Sequence, residues 1–163
     1  MKRLVTAVCA TLALTTAAHA ETQLEQLERL SETSTDVMLG AMVDMAVSEG
    51  ADRASLEAAL VPFEWNDAMR EAGGCMLDGY TNEIGSDGVE TMLGAMEDFL
   101  TEVQGSDMDL EEMAEAGMDI MPEGMTEDRS MEITQECGMT DLQLEWMAET
   151  GFMDAMFNAA MAN

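Results

Sequence analysis

Residues 38–45 read MLGAMVDM and residues 92–99 read MLGAMEDF. At about 100° per residue, Met38, Ala41, Met42 and Met45 fall on one side of a helix, as do Met92, Ala95, Met96 and Phe99. Strand-like alternation of β-branched residues is nearly absent from the rest of the chain. Helical spacing therefore decides the fold class: all-α, a small single-domain bundle of six to seven helices. Both methionine faces are expected in the core, where the flexible thioether fills irregular gaps. Gly40 and Gly94 fall opposite them. A glycine inside a helix costs about 1 kcal/mol relative to alanine, so each implies close backbone approach or built-in flexibility.

Working outward from the first copy, Leu24, Leu27 and Leu30 open an amphipathic turn or two. The polar run SETSTD at 31–36 offers N-caps for the helix that carries MLGAM, which should stop near Gly50. Asp52 can cap a short helix through Leu60, Pro62 breaks it, and a further helix is expected from Glu64 to Tyr80. GSDG at 85–88 reads as a turn before the second MLGAM helix, which should run to Gln104. A helix follows GSD at 105–107 and fades before Pro122; another begins at Thr126 and carries Cys137. The last starts at Thr140, whose spacing to Gln143 fits a capping box. Leu142, Trp146, Met153, Met156, Phe157 and Ala160 share a face on it.

At an offset of 54 the two copies also match Asp44 with Asp98, Leu56 with Leu110 and Glu57 with Glu111; at 62, Met69 matches Met131 and Cys75 matches Cys137. The order is the same in both halves, which reads as two pseudo-repeats, 34–85 and 88–147. Chance similarity between acidic, methionine-rich helices is the competing reading.

The opening, MKRLVTAVCATLALTTAAHA, has a basic start, an apolar run from Leu4 to Leu14 and the ending Ala18-His19-Ala20. It reads as a secretory signal peptide over 1–20, leaving an acidic domain over 21–163 in the periplasm or outside the cell. No later run is long and apolar enough to span a membrane. Such a compartment favours a disulfide between the two remaining cysteines, Cys75 and Cys137. The loop it closes is long, so the chain-entropy account gives it about 4 kcal/mol.

Within 21–163, 34 acidic side chains face only Arg29, Arg53, Arg70 and Arg129, a formal charge of −30. Nucleic acid is an improbable partner for such a surface, because phosphate binding needs the opposite sign. The lone histidine, His19, falls in the leader and the only lysine is Lys2. Histidine triads, histidine metal sites, Cys/His dyads and Schiff-base chemistry are thereby excluded from the domain. Enzyme is the least supported class. A non-enzymatic protein acting by binding is expected, most naturally as a partner-docking or structural module.

The alternative is soft-metal binding. Eighteen methionines follow residue 20, against twelve leucines. Met108, Met113, Met118 and Met121 in DMDLEEMAEAGMDIMPEGM (107–125) wind around a helix instead of lining one face, so some should be exposed. Soft sulfur selects soft cations and carboxylates concentrate them. Met118 and Met121, with Met125 beyond Pro122, are the candidate ligands for Cu(I) or silver ion, with Met108 and Met113 as further donors. An EF-hand is not present: the sixth position from Asp107 is Glu112, where that loop needs glycine.

Overall fold

The first helix is longer than the sequence suggests. In the computed structural model, which describes residues 21–104, 106, 108, 112, 113, 116, 117, 120–152, 154 and 157, α1 runs unbroken over Gln23–Ser48. Thr22 and Glu25 cap it reciprocally, the Glu25 backbone N–H donating to Thr22 Oγ1 and the Thr22 N–H to the Glu25 carboxylate. SETSTD does not start a new helix. Thr33 Oγ1 donates back to the Arg29 carbonyl at 2.8 Å, while Glu32 and Asp36 accept from the backbone N–H groups of Trp65 and Phe63. The polar run thus holds the extended segment before α3.

α2 (Arg53–Ala59) is capped by Asp52 as expected. α3 spans Asp67–Gln104 but is broken at Gly85, whose φ of 74° and ψ of 168° are not helical. Arg70 pairs with Glu28 and Glu97 pairs with Arg29, adjacent positions on α1. A straight helix from residue 70 to residue 97 would span about 40 Å, so the chain must double back at Gly85. The two limbs of α3 form a helical hairpin, one antiparallel and one parallel to α1.

α4 (Glu127–Glu136) lies antiparallel along the first limb. Arg129 meets Glu83, Tyr80 meets Ser130, Gly79 faces Ile133, and Cys75 is joined to Cys137 across a Cα separation of 5.7 Å. The expected disulfide is therefore formed. Gly79 is required by this approach, since a Cβ there would sit 2.7 Å from Ile133. α5 (Met139–Glu149) starts one residue early, after Gly138 in the left-handed conformation; the capping box expected from Thr140 is not used. Trp146 packs edge-on against Phe63, ring centroids 4.9 Å apart.

Five helical elements occur among the described residues, against six to seven expected: the segments on either side of SETSTD are one helix, the two limbs around GSDG together make up α3, and the helix expected after residues 105–107 falls largely outside the described residues. No strand occurs among them. One main core joins Leu27, Leu30, Phe63, Trp65, Met69, Met76, Leu93, Met125, Ile133 and Met139. A satellite core of Val43, Ala46 and Leu56 lies where α2 packs on the far end of α1.

Candidate functional site

The two MLGAM copies are not equivalent. In the second, Met92 is 7% exposed, Leu93 is fully buried, and Met96 and Phe99 pack against the main core, as expected. In the first, Met38 and Met45 are 48% and 46% exposed, while the buried positions are Leu39, Val43 and Ala46. The expected core face of the first copy is therefore wrong. Its cause is reach. Glu97 lies beside Arg29, and Gln104 ends α3 about 10 Å farther on, level with residue 36 of α1. The first limb of α3 begins opposite the same level, since Trp65 meets Glu32 and Phe63 meets Asp36. Residues 37–48 of α1, about 18 Å of helix, project past both limbs. Among the described residues α2 packs on them on the Val43 side, and the segment after it, Leu60 to Pro62, lies by Leu39 and Gly40.

Helix geometry shows what this overhang presents. Met38 lies eleven residues after Leu27, about 20° off three full turns, and Met45 lies eighteen after it, about five full turns. The face that buries Leu27 and Leu30 against α3 thus continues past α3 as Met38, Ala41, Met42 and Met45, of which Met38 and Met45 are about half exposed and Ala41 and Met42 half-buried. Gly40 and Gly94 are not sites of close approach, for an added Cβ at either meets nothing within 4 Å. Gly73 is different. A Cβ there would collide with the Trp65 ring, whose buried indole N–H has no hydrogen-bond partner among the described residues.

Of the proposed metal ligands, Met118 lies outside the described residues, Met121 is 39% exposed, and Met125 is buried in the main core. Met108 and Met113 are half-buried. Among the described residues no three cysteine or carboxylate side chains converge as an ion would require. An open groove of about 240 Å³, lined by Asp36, Leu39, Gly40, Leu60, Val61 and Pro62, lies on the opposite side of α1 from Met38; it is smaller than ordinary small-molecule pockets.

A feature missed in the sequence is the use of the four arginines. Each ties two elements together: Arg29 joins α1 to α3, Arg70 joins α3 to α1, Arg53 joins α2 to α1, and Arg129 joins α4 to α3. Each also reaches a second carboxylate. Hydrogen bonds donated chiefly to Glu21, Glu28, Asp44 and Glu83 hold the guanidinium groups of Arg29, Arg70, Arg53 and Arg129, in that order, still more firmly protonated than usual. Glu21 is in turn held below the ordinary carboxylate range by its bond from Arg29. Exposed pairs of this kind contribute little to stability, because solvent screens them. Their larger consequence is that the basic side chains are engaged within the fold.

No protein-family model, curated protein or solved structure matches this chain.

Proposed function

We propose that this protein acts by binding and not by catalysis, as a secreted or periplasmic module that docks another protein through the projecting half of α1. The observation that carries this reading is the solvent-facing continuation of a core face, with Met38 and Met45 about half exposed. Flexible methionine surfaces suit partner binding because thioethers adapt their shape at small cost. The described thioethers most open to solvent, Met38, Met45, Met121 and Met131, are spread over three regions of the chain, which supports docking over a shared soft-metal site.

The test is a photo-crosslinking side chain placed at position 38, 45 or 131 of the full chain in producing cells. Positions 38 and 45 should yield the same discrete adduct and position 131 none. The partner, once purified, should bind wild type and lose affinity for Met38→Gln/Met45→Gln. Equal labelling from all three positions contradicts the reading. Titration with Cu(I) against a competing chelator tests the alternative: competition that is lost in Met118→Leu/Met121→Leu/Met125→Leu would favour metal binding.

A further inference from the structure

The docking reading leaves the partner's chemistry open, and the pattern of charge around the strip narrows it. From Thr33 to Ser48 the only charged residues are Asp36 and Asp44, followed by Glu49. On a helical wheel Asp36 and Asp44 lie away from the methionines. The face itself, made by Ser34, Thr35, Val37, Met38, Ala41, Met42, Met45 and Ser48, carries no charge over about four turns. A quarter of the chain is charged, so this strip is a gap in an otherwise acidic surface. Depletion of charge with enrichment of methionine is the composition of an interface core.

Asp44 lies at one edge of the strip, held by Arg53, which also reaches Glu57, and Glu49 closes its C-terminal end. The other three arginines are engaged elsewhere in the fold. With 34 acidic residues in the whole chain, the field around the strip is negative. A second copy of this chain would bring two such fields together, and an anionic lipid surface or a nucleic acid would meet the same repulsion. A partner that combines an apolar stripe with cationic flanks meets attraction at the rim and burial at the centre.

Resting on the docking reading, we infer that the projecting half of α1, from Val37 to Ser48, receives a cationic amphipathic helix. Its apolar stripe lies on Met38, Ala41, Met42 and Met45, and its lysines or arginines meet the surrounding carboxylates. The overhang of about 18 Å corresponds to a helical segment of about twelve residues, three to four turns. This is helix-on-helix recognition of the kind read by anchors at i, i+3, i+4 and i+7.

The probe is a 14-residue peptide of leucine and lysine only, with leucines at helical spacing, followed by fluorescence anisotropy with the full-length protein at about 0.15 M salt. A scrambled peptide of the same composition and a leucine–glutamate counterpart serve as comparisons. The amphipathic leucine–lysine peptide should bind at least about tenfold more tightly than the scrambled one, and the glutamate peptide should not bind. Met38→Gln/Met45→Gln should remove that preference, while Met131→Gln, also exposed, should leave it intact. Unchanged far-UV circular dichroism in the double variant shows that the fold is retained. Equal binding of amphipathic and scrambled peptides would mean that charge alone is read and would overturn the inference, as would full binding by the double variant. A dimer lost in the double variant would make a second copy the occupant instead. The wider reading fails separately: a specific adduct from position 38 with no preference for the cationic peptide sinks only the partner class, whereas absence of both sinks docking as well.

Discussion

The two MLGAM segments share five residues in the same order and occupy opposite environments. Met92 lies in the core while Met38 is about half exposed, and Leu93 and Leu39 are both buried. Leucine marks the shared inward direction of both copies; the methionine before it is covered only where a second helix extends far enough. Local sequence sets which side chains line up on a helix, and the length of the neighbouring helices sets which of those lines is buried.

That contrast predicts unequal responses to the same change. Met92→Ala should cost about 3 kcal/mol, the usual range for emptying a core methionine position, whereas Met38→Ala should change stability by less than about 0.5 kcal/mol. Denaturant melts of the two variants check this, and equal losses would break the comparison.

The glycines sharpen it at smaller magnitude. Gly73→Ala forces a methyl group into the Trp65 ring and should destabilise by about 1–3 kcal/mol. Gly40→Ala and Gly94→Ala meet open space, and each should stabilise by about 0.5–1 kcal/mol, through helix propensity alone. A loss at either would show a contact that the fold does not contain.

The smallest effect concerns α2, which packs on the first copy. Hydrogen bonds from the Ser55 side chain and then its backbone hold Asp52 below its ordinary pKa. A carboxylate with a lowered folded pKa contributes stability above its unfolded value and loses it as pH falls through the folded one. Asp52→Ala should therefore speed amide exchange in Arg53–Ala59 near neutral pH, leave the region around Met92 unchanged, and converge with wild type in acid. Amide exchange followed by mass spectrometry checks all three.

Much of the fold was legible from individual residues. Asp52 and Thr126 cap helices as their positions suggest, α1 ends before Gly50, and Cys75 joins Cys137. What was missed depends on contacts distant in sequence. SETSTD looks like a helix start because its side chains can cap locally; Glu32 and Asp36 instead cap a segment 27 or more residues away. The signal Thr22-x-x-Glu25 was readable as a capping box and was overlooked, as was Gly138 as the residue that ends α4 and begins α5. The bridging role of the arginines was missed for the same reason, since the carboxylates that Arg29 and Arg70 reach on the facing helix are 68 and 42 residues away. The docking strip was not legible either: Met38 and Met92 are indistinguishable within their own helices, and only the hairpin at Gly85 and the end of α3 at Gln104 separate them.

The most direct test is timed oxidation of the native protein with dilute hydrogen peroxide, followed by peptide mass spectrometry, because sulfoxide formation tracks solvent access to the thioether. Met38 and Met45 should oxidise early, and Met69 and Met92 should stay protected until the protein unfolds. Equal rates at Met38 and Met92 would contradict the account.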